Sequence, residues 1–110
     1  MVTFSIIFGL YDYMTINFKN IGTSLGTRFL GQKFRMDIEQ ALSKNEFVVF
    51  DFDGVDFISH SFADECFGKL LLEIKLSDLK EKTTFKNANE IIKRTIAFTL
   101  KERLIEEEAF

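Results

Sequence analysis

The chain has 110 residues, of which 46% are hydrophobic, which is enough for one domain with a hydrophobic core. Its formal net charge of −3 argues against a protein that binds the nucleic-acid backbone, because such affinity comes from clustered Lys and Arg. The single cysteine excludes an internal disulfide and fits a reducing cytoplasm.

Neither a secretion signal nor a membrane span is predicted. Residues 2–8 are apolar, but they lack the basic leader and the small-residue cleavage site of a signal peptide. No apolar run in the sequence approaches the roughly 20 residues that a membrane helix needs. We therefore expect a cytoplasmic protein that folds as a single domain over residues 1–110.

Two strands are predicted before the first helix. Apolar and polar residues alternate over residues 2–8 and again over residues 14–18, which is the period of a half-buried strand. The short connection between the two segments favours an antiparallel pair.

The first predicted helix is capped by Thr23 or Ser24 and extends to about Leu42. Apolar side chains recur along one side of it, so that side is expected to pack inward. The side chains of Arg28 and Arg35 are expected to face water on the opposite side.

An apolar run at residues 47–50 marks the centre of the predicted fold. β-branched and aromatic residues without alternation are typical of a strand that is covered on both faces. Asp51, Asp53 and Gly54 follow this strand and are typical turn-forming residues.

A second helix is predicted after this turn, with Ser61 as its N-cap. Asp64 follows three residues later, which resembles a capping box with Asp in place of Glu. Glu65 and Lys69 are expected on the solvent side of this helix, in the favourable i,i+4 order. Cys66 falls on its apolar side, where we expect a buried thiol.

The C-terminal third is predicted to contain one more strand and one more helix. Residues 77–82 are polar and are read as a connection, and residues 83–85 are read as a short strand. Asn87 or Asn89 is expected to cap the last helix. Its predicted inward side chains are Ile92, Ile96, Leu100 and Leu104.

The element order is therefore strand, strand, helix, strand, helix, strand, helix. Helices between successive strands imply right-handed crossovers. The predicted class is α/β, with a four-stranded mixed and mostly parallel sheet, about three helices, and the first strand antiparallel at one edge.

Three segments resemble STAS domains, the sulfate transporter and anti-sigma factor antagonist type, and more narrowly a bacterial STAS-like family of unknown function. They are LGTRFLGQKFR at residues 25–35, DFDGVDFISHSFADECFGKL at residues 51–70 and FKN at residues 85–87. The resemblance extends over about residues 24–100. It implies the fold described above, a regulatory domain without enzymatic activity or cofactor, and a partner protein that is a kinase-like ATPase or a regulator.

The resemblance assigns partner binding to the loop and helix start at residues 56–65. The residues predicted to bind the partner there are Asp56, Ser59, His60, Ser61 and Asp64.

In anti-sigma factor antagonists, a serine at this helix start is phosphorylated by the partner kinase, within an Asp-Ser-Ser-Gly-like pattern. This chain departs from that pattern, because Ser59 occupies the place of the Asp, His60 that of the phosphorylated serine and Phe62 that of the glycine. Ser61 is then the first candidate for phosphorylation and Ser59 the second. The alternative is that Ser61 serves only as a cap.

A second resemblance points to an enzyme. VVFDFDGV at residues 48–55 is similar to the first motif of haloacid dehalogenase-type phosphatases. That resemblance implies Asp51 as the nucleophile and Asp53 as a general acid or base beside Mg²⁺. The later acidic pair that would hold the metal is missing, so this activity is the alternative, and no metal site is predicted.

A third hypothesis is a structural subunit that associates with its own copies. The Phe-rich strand faces were expected to exceed what three helices can cover, and large exposed apolar patches usually mark interfaces.

Overall fold

A computed structural model of the protein describes residues 13–21 and 24–108. Within these residues the strands are β1 (Tyr13–Asn17), β2 (Ser24–Leu25), β3 (Phe47–Asp51), β4 (Phe57–Ile58) and β5 (Thr83–Lys86). The helices are α1 (Arg28–Ser43), α2 (His60–Cys66), α3 (Leu76–Lys82) and α4 (Glu90–Glu108), and two 3₁₀ segments occupy Phe18–Ile21 and Gly68–Leu72.

The strands form a parallel sheet in the order β1-β3-β5, and β2 pairs with β4 in a small parallel sheet of its own. The predicted α/β class and the parallel strand pairs are therefore confirmed. The predicted first strand, residues 2–8, lies outside the described residues, so the four-stranded order stays a prediction.

One face of the three-stranded sheet carries the hydrophobic core. Ile16, Val48 and Phe50 point to this face and are buried, whereas Thr15 and Thr84 are exposed on the opposite face. The helices pack on the first face and contribute their own buried apolar side chains to one cluster. The core is thus built between one side of the sheet and the helices.

Helices α1 and α2 cross closely at Gly31. A Cβ atom at this position would lie 2.9 Å from both the Phe62 carbonyl oxygen and the Glu65 Cβ. Real Cβ atoms do not approach backbone this closely, so the crossing requires a residue without a side chain. The absence of a side chain at Gly31 therefore allows helices α1 and α2 to pack at this short distance.

The predicted start of the first helix is wrong by several residues. The cap is Thr27, whose Oγ1 accepts a hydrogen bond of 3.2 Å from the Leu30 amide. Ser24 instead belongs to β2 and pairs with β4. Strand pairing with a distant segment outweighed the local capping preference, and Thr23 lies outside the described residues.

Residues 77–82 are helical, not a connection, so the described residues contain four α-helices and not three. Only Leu79 of α3 is buried, and the two apolar residues of this short helix, Leu76 and Leu79, give too little periodicity for a sequence-based prediction. The strand at residues 83–85 is confirmed as part of β5. Of the two predicted caps of the last helix, Asn89 is the one used, since its Oδ1 accepts from the Ile92 amide at 2.9 Å.

The inward face of α4 is confirmed. Ile92 and Ile96 are buried, and Leu100 and Leu104 pack against the core cluster. Within residues 13–21 and 24–108, no helix has both the length and the apolar character that crossing a bilayer requires.

Candidate functional site

Ser59, not the predicted Ser61, caps helix α2. Its Oγ accepts a hydrogen bond of 3.0 Å from the Phe62 amide and donates one of 2.9 Å to the Gly26 carbonyl. The short strand β4 ends at Ile58, which leaves Ser59 as the last extended residue before the helix. Ser59 therefore joins the start of α2 to the segment that precedes α1.

We expect Ser59→Ala to lower the free energy of unfolding by about 1 kcal/mol, because the Phe62 amide loses its acceptor. Ser61→Ala should change it by less than about 0.5 kcal/mol, since Ser61 is not the cap. Urea unfolding of both variants compares the two matched substitutions. Equal losses would contradict the assignment of the cap.

His60 is half exposed and is bound to helix α4. Its Nε2 lies 2.6 Å from Glu102 Oε1, and its ring meets the edge of the Phe98 ring at a centroid distance of 5.8 Å. The predicted loop histidine is therefore the first residue of α2, held by a helix that is 42 positions away in the sequence.

Asp56 and Phe57 precede this histidine by four and three positions in the chain, and both are exposed. The Asp56 carbonyl accepts a hydrogen bond of 2.8 Å from Asn89 Nδ2, which fixes the loop to the start of α4. The Asp56 side chain is exposed, and 45% of Phe57 is exposed although it belongs to a strand. We call Asp56, Phe57, His60 and Ser61 the helix-tip surface.

The structure places Asp64 beneath this surface and not on it. Asp64 is 8% exposed, and its carboxylate accepts hydrogen bonds from Arg103 Nε, Arg103 Nη2 and Arg28 Nη1 at 2.8, 2.8 and 2.9 Å. It is thus not the capping-box residue of α2. It links α2 to α1 and α4.

Glu65 was predicted to face water and is buried instead, at 6% exposure. Its carboxylate lies 2.7 Å from Arg35, 3.0 Å from Lys69 and 3.2 Å from Arg28. Arg35 was also predicted to face water, but only 14% of its side chain is exposed. The i,i+4 pair of Glu65 and Lys69 is confirmed.

These ion pairs keep both carboxylates ionised. Hydrogen bonds from Arg103 and then Arg28 outweigh burial and lower the pKa of Asp64 to about 2. Burial disfavours the charged form of Glu65, but hydrogen bonds from Arg35, Lys69 and Arg28 outweigh it and lower its pKa to about 2 as well. We call these two carboxylates and their cations the ionic cluster.

Sequence reasoning missed the ionic cluster. Its cations come from three separate parts of the chain, at Arg28 and Arg35, at Lys69 and at Arg103. One signal was present in the sequence, because Asp64 and Glu65 stand between the apolar residues Phe62, Ala63 and Cys66 of a short helix, so at least one of the two acids is expected to face the core. Buried charges require partners.

Asp51 and Asp53 form a turn at the end of β3. Asp51 Oδ1 accepts hydrogen bonds from the Asp53 amide at 2.9 Å and from Asn87 Nδ2 at 3.1 Å. The bond from the Asp53 amide is the main reason that the pKa of Asp51 is lowered. Gly54 has φ 80°, a left-handed conformation that suits this turn.

The described part of the chain contains no group of three or more His, Cys, Asp or Glu residues arranged to hold a metal ion. Cys66 is fully buried, as predicted, and burial raises the pKa of its thiol. A thiol in such surroundings is a poor nucleophile.

Comparison with known proteins identifies the family. A family model described as a STAS-like domain of unknown function (DUF4325) matches residues 31–93, which is more than half of the chain. The matched segment contains β3, the turn after it, the helix-tip surface and the start of α4. No curated protein and no solved structure matched. The chain belongs to the family of STAS-like domains.

Proposed function

We propose that this domain is a non-enzymatic regulator that docks a partner protein through the helix-tip surface. The observation that carries the proposal is a set of exposed side chains held on fixed backbone. Asp56 and Phe57 are exposed, and Asn89 fixes the Asp56 carbonyl. Glu102 and Phe98 orient His60.

The composition of the surface suits a protein partner. It includes an exposed aromatic side chain, an exposed carboxylate and a half-exposed imidazole. Aromatic anchors surrounded by polar groups dominate the energetics of many interfaces. An exposed Phe on a two-residue strand has no role in the hydrophobic core.

The ionic cluster supports docking by fixing the direction of α2. Arg28 from α1 and Arg103 from α4 both bind Asp64, which is the fifth residue of α2. A surface that is already ordered loses less conformational entropy on binding. By family resemblance, the partner is a kinase-like ATPase or another regulator.

Ser61 is the hydroxyl that we propose as the phosphorylation site, with Ser59 as the second candidate. The Ser59 hydroxyl already accepts a hydrogen bond from the Phe62 amide and donates one to the Gly26 carbonyl. Ser61 is partly exposed. A phosphate on Ser61 would add charge beside His60, within the same surface.

The test is affinity purification of the native partner with wild-type protein and with Phe57→Ala/His60→Ala. We expect the double variant to bind at least about 30-fold more weakly, as for the loss of one interface anchor. Phe29→Ala is the matched control, because Phe29 is exposed on α1 and lies outside the surface. An equal loss of affinity in the control, or no loss in the double variant, would contradict the assignment of partner binding to the helix-tip surface.

A separate assay tests whether the protein has phosphatase activity. Wild type and Asp51→Asn are assayed for Mg²⁺-dependent hydrolysis of a phosphate monoester, and we expect no turnover by either. Turnover that requires Asp51 would favour the phosphatase hypothesis over docking.

A further inference from the structure

Helix α4 carries a second apolar face that the core does not use. Ile91, Phe98 and Ile105 are exposed by 59%, 55% and 56%. They are spaced seven residues apart, so each lies only about 20° around the helix from the one before. Together they form a straight apolar stripe about 21 Å long, which we call the α4 stripe.

The stripe lies outside the hydrophobic core, and of its three residues Phe98 also meets the His60 ring. The opposite side of α4 already packs Ile92, Ile96 and Leu100 into or against the core. A surface helix normally has polar residues on its outer side. Three large apolar residues in a row on that side indicate a contact with another molecule.

The seven-residue spacing indicates what kind of molecule. Apolar residues at every seventh position form one line along a helix, and a second helix lying alongside can cover such a line over its whole length. Among the described helices, α4 carries three exposed apolar residues at this spacing, whereas α1 carries two, Phe29 and Met36, so a second copy of α4 matches the stripe over its whole length.

The charges beside the stripe are complementary between two copies of α4. Arg94 and Lys101 lie on one flank of Phe98, and Thr95 and Glu102 lie on the other, as their spacing from residue 98 requires. A two-fold axis parallel to the helices places the basic flank of each copy against the flank of its partner that carries Glu102. An antiparallel pair would instead bring the two basic flanks together.

We propose that the protein forms a parallel homodimer through the α4 stripe, with Lys101 of each copy beside Glu102 of the other. Such an interface is isologous, because the same patch serves both copies. One helix face buries less than the roughly 1,600 Å² of a standard interface, so the dimer is weak and depends on concentration.

The first test is sedimentation of the purified full chain over a range of concentrations. We expect dimers at the highest concentrations and a dissociation constant at least about 30-fold larger for Phe98→Glu, since residue 98 faces its own copy. Met36→Glu is the matched control, because Met36 is 59% exposed on helix α1 and should not matter. Circular dichroism and urea unfolding establish that each variant is folded.

The second test separates the parallel from the antiparallel arrangement by exchanging charges. Lys101→Glu should weaken the dimer about 10-fold, because two attractive pairs become repulsive. The double variant Lys101→Glu/Glu102→Lys should restore most of the affinity, because the pair is re-formed with its signs reversed. A loss caused by local misfolding would not be restored.

Four results would overturn the proposal. They are a monomer at every concentration, a dimer unaffected by Phe98→Glu, a dimer strengthened by Lys101→Glu, and a monomer that binds vesicles of anionic phospholipid through the stripe. Phe98→Glu and Glu102→Lys also remove contacts of His60, so these variants are used for the dimer alone. Partner docking is tested with Phe57→Ala/His60→Ala, which leaves the residues of the α4 stripe unchanged, so failure of docking does not bear on the dimer.

Discussion

Phe18→Ala should lower the free energy of unfolding by about 3–5 kcal/mol, among the largest losses expected for a single substitution. Phe18 is fully buried and lies at the centre of the aromatic core. Its ring stacks on Phe52 at a centroid distance of 4.4 Å and lies 4.5 Å from Phe34. Three further rings, those of Phe50, Phe62 and Phe67, lie within 6.3 Å of it.

This loss is a large fraction of the roughly 5–15 kcal/mol that typically stabilises a domain, so the variant should unfold at a clearly lower temperature than wild type. Urea unfolding at 25 °C measures it. Phe29→Ala removes the same side chain from an exposed position and should cost less than about 0.5 kcal/mol. Similar losses at both positions would contradict the central role of Phe18.

Acid should destabilise the protein through the ionic cluster. Asp64 and Glu65 have folded pKa values of about 2, below their ordinary values of 3.8 and 4.5. A group with a lowered folded pKa stabilises the protein above its unfolded pKa, and this stabilisation is lost as the pH falls towards the folded pKa. The loss should therefore occur between about pH 5 and pH 2, and amount to about 2–3 kcal/mol per carboxylate.

The measurement is urea unfolding of wild type and of Asp64→Asn/Glu65→Gln at pH 7, 5 and 3. The double variant should be less stable than wild type at pH 7, because the cations of the ionic cluster lose their carboxylates, and it should lose less stability than wild type between pH 5 and pH 3. Asp78→Asn, an exposed acid of α3, should keep the wild-type profile. A double variant that retains the full acid sensitivity would contradict this account.

Hydrophobic patterning predicted the regular elements well. β3 is an apolar run without alternation, which is typical of a covered strand, and α4 repeats its apolar residues every three to four positions, which is typical of a helix with one buried side. The STAS-like resemblance was carried by residues 25–35, 51–70 and 85–87, and the family match at residues 31–93 confirms it.

The helix caps were harder to predict, because their position depends on partners far away in the sequence. Ser59 and Ser61 are equally good caps by residue type. The Gly26 carbonyl, which accepts from Ser59, selects between them. Likewise Thr27 caps α1 because Ser24 and Leu25 pair with β4.

The sequence predicted which segment carries the candidate site, but not how the side chains of that segment are arranged. The sequence indicated the loop and helix start, whereas the contact of His60 with Glu102 joins positions 42 residues apart and has no local signal. Asp64 was predicted as a capping-box residue and, from the resemblance, as a partner-binding residue, whereas it is buried between Arg28 and Arg103.

The close crossing at Gly31 makes a residue in the interior a determinant of where the start of α2 lies. Even one methyl group there would meet the Phe62 carbonyl, and because that carbonyl belongs to backbone, helix α2 as a whole would have to move. His60 begins that helix and would move with it. A substitution at position 31 would thus displace His60 and Ser61 of the helix-tip surface while leaving both of their side chains intact.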